Sequence, residues 1–262
     1  MAGKHKGHLG LGIVLAISFL VVLVLIFSPV FPKAPDGSSQ NGLEYADRMF
    51  NRLAKGSSYF IPKVLQNNEE FMGKMINITI KMDKPDDKPG DAEKRAELAS
   101  KLLIPTGART EVMGPEIKME GDLGKILESA LQDSDAMFKN NGEQIRAKYA
   151  DAMSLVKEEE QKEFEKKMFR QWHTVLAKMD KEFKKEKMVP EAKICSDVMK
   201  KAVEAAYNFY GIEAQKVIDH VGMMTTLLVF YVAYTMWWGY AIFFIFEGIG
   251  LSMKKAKVKK EV

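Results

Sequence analysis

Cysteine is almost missing from this chain. Cys195 is the only one in 262 residues, so no disulfide can form within it. A small secreted fold held together by disulfides is excluded, and a bacterial envelope protein fits the count better than a secreted eukaryotic one. Histidine is scarce as well, with four in all. His173 and His220 are the only two in the central part. Neither has a second His, Cys or acidic residue at a spacing that holds a metal on a helix, so no metal and no cofactor is expected. There is no phosphate-binding glycine loop, no G-x-S-x-G elbow and no H-E-x-x-H pair, which leaves no catalytic site to name and no enzyme to expect. The formal net charge is only +4. The middle of the chain mixes both signs without a basic stripe, which argues against nucleic acid as a partner. The acidic run Glu158 to Glu160 reads as a solvated face.

Charge is absent from two further places, and there the absence is informative. From Leu9 to Pro32 and from Val221 to Phe246 there is no charged side chain. At about 1.5 Å per helical residue, both runs exceed the roughly 30 Å hydrocarbon core of a bilayer. Lys4 and Lys6 precede the first run. Lys254, Lys255, Lys257, Lys259 and Lys260 follow the second. By the positive-inside rule both termini are expected in the cytoplasm and the middle across the membrane. The first run stays bulky through Ile26, Phe27, Val30 and Phe31, with no small-residue cleavage pattern after it. An uncleaved anchor is therefore expected over residues 9–32 rather than a signal peptide.

The middle divides by composition and period. Residues 33–74 begin with a linker, KAPDGSSQ, followed by a helix with Leu43, Ala46, Phe50 and Leu53 on one face. Gly56, Ser57 and Ser58 stop it. Tyr59, Phe60 and Ile61 then form an apolar knot that either caps the core or rests on lipid or a partner. Residues 75–142 predict a small α/β module. In MINITIKM, Ile76, Ile78, Ile80 and Met82 alternate with polar residues, the period of a half-buried strand. Asp91 is placed to cap a helix carrying Leu98, Ala99, Leu102 and Leu103. Strands are expected over Thr110 to Met113 and Glu116 to Glu120, and Asp122 is placed to cap a second helix with Ile126, Leu127, Ala130 and Leu131. Residues 143–220 read as a long helical hairpin broken at Pro190. One stripe holds Ile145, Tyr149, Ala152 and Val156, resumed from Phe164 to Phe183. The other runs from Ile194 through Val198, Ala202, Ala206 and Phe209 to Val217 and Val221. No proline separates that second arm from the next apolar run. It is expected to continue into a membrane helix over residues 221–253, with Gly211 its weakest point, before the basic tail over residues 254–262. The fold class is α+β and mostly α: two transmembrane helices, residues 9–32 and 221–253, flank an outer domain built of the β-α-β-β-α module and the hairpin.

The β-α-β-β-α order looks like half of a ferredoxin-like sandwich. Through the helix from Asp91 to Leu103, the Gly107 that opens the hairpin and the run IKMEGDLGKILESAL from Ile117, it resembles the small ring-building modules in periplasmic parts of bacterial secretion and sporulation machines. That resemblance implies a module that packs against neighbours, and no reaction. The whole layout also resembles bacterial two-span receptors, although no output domain is expected in the KKAKVKKEV that follows Met253.

The second apolar run holds Tyr231, Tyr234, Trp237, Trp238 and Tyr240 near its middle. Indole and phenol groups at that depth are better served by protein than by lipid. Tyr231, Tyr234 and Trp238 share a stripe, and Thr225, Thr226 and Gly239 leave room for another helix. Glu247 is expected at the cytoplasmic edge, meeting a lysine, headgroups or a partner. The membrane-facing partner residues are thus Tyr231, Tyr234, Trp237, Trp238 and Glu247, with Tyr59, Phe60 and Ile61 as a weaker outer patch. The expected partners are the bilayer and another integral membrane protein or a second copy. The function expected is a non-catalytic accessory or scaffold subunit of an envelope complex; the alternative is a two-span sensor or ligand-binding protein that signals through a partner.

Overall fold

The computed structural model describes the backbone of residues 2–251 and the side chains of residues 7–251. It separates into two compact units, Met1–Leu53 with Ala214–Val262, and Ala54–Glu213. The described residues form ten α-helices and one three-stranded antiparallel sheet.

The first unit is built on α1 (Ala2–Phe27) and α10 (Val221–Gly248). Both are long and apolar enough to cross a membrane. They run antiparallel, with Leu9 beside Gly248 and Gly12 beside Ile245. The first helix stops five residues short of the expected Pro32. Ser28 folds its hydroxyl back onto the Val24 carbonyl, and Pro29 then denies the helix a further N–H. The last helix ends at Gly248, also short of its expected limit, with Gly250 in the left-handed region at φ 89°. Between them, α2 (Gly42–Ser57) starts in a capping box: the Glu44 N–H donates to Asn41 Oδ1, and the Asn41 N–H donates to Glu44 Oε2. Its buried face differs from the expected one. Met49 and Leu53 are buried, whereas Leu43 and Phe50 are exposed. The 31–40 stretch folds back, with Phe31 bridging to Gln40 and its ring packed near Tyr45.

The second unit holds α3 (Ile61–Asn68), β1 (Met75–Lys81), α4 (Asp91–Leu103), β2 (Arg109–Met113), β3 (Glu116–Asp122), α5 (Leu123–Phe138) and α6 (Gly142–Lys148), then α7 (Phe164–Lys185), α8 (Val189–Val198) and α9 (Glu204–Phe209). The strand order is β1-β3-β2, both pairs antiparallel, so β3 lies between two strands that share a direction. The alternation of β1 is as expected: Ile76, Ile78 and Ile80 are buried and face the same side as Ile117 and Met119 of β3. Helices α4 and α7 lie against this sheet. Asp122 caps α5 as expected, accepting from the Lys125 N–H. Asp91 does not cap α4. Gly90 takes the cap position at φ 86°, and Asp91 sits at the first helical position with its carboxylate on the Lys88 N–H.

The expected hairpin is corrected in two ways. Its first arm is helical only in α6 and α7, with 3₁₀ turns over Ala150–Leu155 and Glu158–Glu163 between them. The arms do not stand free, because α8 and α9 pack on α5 while α7 packs on α8, α4 and β1, and Phe164, Met168, Trp172, Val175, Met179 and Phe183 are all fully buried. The second arm also does not run on into α10. A π-helical turn over Met199–Val203 joins α8 to α9, the chain leaves the helix at Tyr210, and residues 212–216 are non-helical. Gly211, at φ 81°, makes the turn. The break is held by two side chains. Lys55 donates to the Phe209 and Ile212 carbonyls, and Asn140 accepts from the Gly211 N–H at 2.8 Å and donates to the Ile212 carbonyl at 3.0 Å. These bonds satisfy the carbonyls and the amide that a continued helix would have paired internally.

Candidate functional site

The aromatic stripe of α10 is met by the chain's own first helix. Phe19 of α1, only 8% exposed, stacks on Tyr234 with ring centroids 4.3 Å apart and on Trp238 at 4.6 Å, and meets Trp237 edge-on at 6.4 Å. The close approach that makes this possible comes from Gly12 and Gly248. A Cβ on Gly12 would lie 2.6 Å from the Ile245 nitrogen, and one on Gly248 would lie 2.5 Å from the Leu9 Cα. Four of the expected partner residues are therefore arranged by this pairing. Tyr234, Trp237 and Trp238 gather around Phe19, and Trp238 keeps 39% of its surface exposed. Glu247 meets His8, with Nδ1 to Oε2 at 2.7 Å, and the His8 ring packs edge-on to Phe244. Tyr231 stands apart, 67% exposed.

Two features of this surface were not foreseen. The His8–Glu247 pair closes one end of the two-helix unit. The signal was present as a histidine just before one apolar run and a lone carboxylate at the end of the other. Trp237 lines an open apolar cleft with Leu15, Ala233, Met236, Tyr240 and Phe244, and its indole N–H is buried with no acceptor among the described residues. Gly239 has open space in front of it.

The outer patch is divided by the fold. Ile61 enters the core at 3% exposure, Phe60 stays on the surface, and the Tyr59 hydroxyl donates to Asp135 while its ring packs on Phe138 at 5.2 Å. Burial, and then the bond to Asp135, push the Tyr59 phenol above its usual range. Tyr59 and Ile61 line a hollow of about 490 Å³ together with Leu131 and Asp135.

The most polar point of the core is Asp133 on α5, 1% exposed. One carboxylate oxygen accepts from Lys148 at 2.5 Å. The other accepts from the Tyr149 hydroxyl and from the Trp172 indole at 2.9 Å. Lys148 also donates to Ser129 at 2.7 Å. Burial and the Asp133 charge together push the Tyr149 phenol far up. Each donor here already has its acceptor, so the cluster ties α5, α6 and α7 together and has no spare group aimed at a ligand. Cys195 is fully buried on α8, and burial raises its thiol pKa, which makes it a structural, unreactive residue. His173 lies on the surface, 3.1 Å from Glu204. Among the described residues no group of His, Cys, Asp and Glu is placed to hold a metal ion.

A basic cleft is the third unforeseen feature. Six cationic side chains from four separate segments line a cavity of about 340 Å³: Lys84, Lys94, Arg95, Lys157, Lys167 and Arg170. No window of sequence contains them together. No protein-family model, curated protein or solved structure matches the chain.

Proposed function

We propose that the chain is a non-catalytic, membrane-anchored accessory or scaffold subunit of a larger bacterial envelope assembly. It crosses the cytoplasmic membrane through α1 and α10, with both termini inside and the central unit outside. The lysine flanks of both apolar runs support that orientation, and the His8–Glu247 pair supports both helix ends lying at one level. The observation that carries the docking role is the free side of α10. Phe19, Gly12 and Leu9 occupy only one side of that helix. On the other, Leu228, Val232 and Met236 are exposed, and Gly239 faces open space. Helices associate in lipid by close packing around small residues, which is what Gly239 with Thr235 offers. Thr235 donates its hydroxyl to the Tyr231 carbonyl at 2.7 Å, so it brings no unpaired polar group to a partner surface.

The test is a pair of photo-reactive phenylalanine analogues in native membranes. At Val232, on the free side, the probe should cross-link a second polypeptide or a second copy. At Phe19, inside the helix pair, it should cross-link only within the chain. No intermolecular product at Val232 would end the docking reading. A second reading, a two-span ligand-binding protein that signals through a partner, is favoured by the basic cleft.

A further inference from the structure

The basic cleft is formed where the start of α4 and the loop before it face α7 and the 3₁₀ turns that precede α7. Its six cations are opposed by only two lining carboxylates, Asp91 and Glu160. Their pairings can be followed one by one. Arg95 is taken: its Nη2 meets Asp87, and its Nε donates to the Met82 carbonyl at 2.8 Å. Lys167 pairs with Glu160 at 2.8 Å. Arg170 leans on Glu163 at 3.6 Å and donates to the Tyr207 hydroxyl at 3.1 Å. Asp91 is turned to the Lys88 N–H. Lys84, Lys94 and Lys157 have no ion pair among the described residues. Three ammonium groups without a direct ion pair therefore line one cleft beside three paired cations, and Asp87 attracts Lys84 and Glu160 attracts Lys157 from farther away. The floor is not charged: Leu98, Gln171 and Thr174 are buried there, with Gln171 donating to the Arg95 carbonyl at 2.8 Å.

Lys84, Lys94 and Lys157 are themselves exposed, but like charges that line one cleft repel one another, and the cleft focuses their field outward. Burial, and next the Arg95 guanidinium, hold the Lys84 ammonium below the usual lysine range. An anion in the cleft would offset that repulsion.

We propose that this cleft is a binding site for a small anion carrying a diphosphate group. The size of the cavity suits a small molecule rather than a polymer. The unpaired groups are lysines, compact point charges that grip phosphate oxygens without the fixed fork that selects a planar carboxylate. Three of them match the charge of a diphosphate better than that of a monophosphate. The same group occurs on soluble diphosphates and on lipid-linked prenyl diphosphates.

Titration calorimetry on the full-length protein in neutral-lipid nanodiscs tests the proposal, with inorganic pyrophosphate and geranyl diphosphate as probes. At least one probe should bind and raise the melting temperature of the protein, and inorganic phosphate should bind at least about tenfold more weakly. Lys84→Gln should weaken the binding about tenfold, and the triple change Lys84→Gln, Lys94→Gln, Lys157→Gln about a hundredfold. Markedly tighter binding of geranyl diphosphate assigns the lipid-linked source, and equal binding of both probes assigns the soluble one. The triple variant removes unpaired like charges from the surface, so its melting temperature without ligand should equal or exceed that of the parent. Absence of binding with both probes, or undiminished binding by the folded triple variant, would overturn the proposal.

Discussion

Asp133 is the residue on which the central unit depends most visibly for a polar contact. Replacing it with alanine removes one carboxylate, strands two donors and takes one acceptor from a third. The Tyr149 hydroxyl and the Trp172 indole N–H both lie in the core, where water cannot replace the lost acceptor. Each such stranded group costs about 1–3 kcal/mol. The Lys148 ammonium is better placed, since its side chain is 23% exposed and Ser129 still accepts from it. Together these place the cost of Asp133→Ala at about 3–5 kcal/mol, the range for breaking a buried pair by deleting one partner. Asp133→Asn keeps one carbonyl acceptor and should cost about 2–3 kcal/mol. Denaturant unfolding of the full-length protein in mild detergent, followed by near-ultraviolet circular dichroism, measures both. A cycle with Tyr149→Phe sharpens the test. Once Asp133 is gone the Tyr149 hydroxyl is a liability, so removing it in the Asp133→Ala background should regain about 1 kcal/mol, whereas in the parent it should cost at least as much. A cost below about 1 kcal/mol for Asp133→Ala, or strictly additive effects, would refute the network as a determinant of stability.

Two other perturbations follow from the same core. Ile78→Asp puts a charge on the buried face of β1 opposite Met119 and should cost about 4 kcal/mol or more, while Thr79→Asp, exposed and opposite Lys118, should cost well under about 1 kcal/mol; similar losses in the same unfolding assay would refute the strand register. The Tyr149 phenol and the Cys195 thiol both have folded pKa values raised above their ordinary values of 10.0 and 9.0. Above those values the unfolded chain releases protons that the folded chain keeps, so stability should fall as pH rises from about 9, with a slope of up to about 1.4 kcal/mol per pH unit for each group. Tyr149→Phe should flatten the part of the decline above pH 10, and a flat profile between pH 8 and 11 would contradict the burial of both groups.

The local structure was legible wherever one element carries its own pattern. The alternation of Ile76, Ile78 and Ile80 gives β1, and Asp122 followed by an apolar stripe gives the start of α5. What escaped the sequence depends on groups that meet across the fold. Ser129, Asp133 and Ser134 look like the wet face of α5, yet all three are buried, because Lys148, Tyr149 and Trp172 reach the first two and Ser134 donates to the Ala130 carbonyl. The helix expected to continue through Gly211 is stopped by Lys55 and Asn140, which lie far away along the chain. At the candidate docking face, the aromatic residues of α10 could be seen, but not that Phe19 would take Tyr234 and Trp238 for itself. Nor could the basic cleft be read, since its cations lie on four separate segments that come together only in the fold.

The reading of the chain as a two-span membrane protein with its central unit outside is tested most directly by thiol labelling of intact cells. Asp86 is exposed in the loop between β1 and α4, and the native Cys195 is fully buried. In cells expressing the Asp86→Cys protein, a membrane-impermeant maleimide added from outside should label it fully, while the parent protein stays unlabelled until it is unfolded. Labelling of Asp86→Cys only after the cells are broken would place the central unit in the cytoplasm and contradict the proposed orientation.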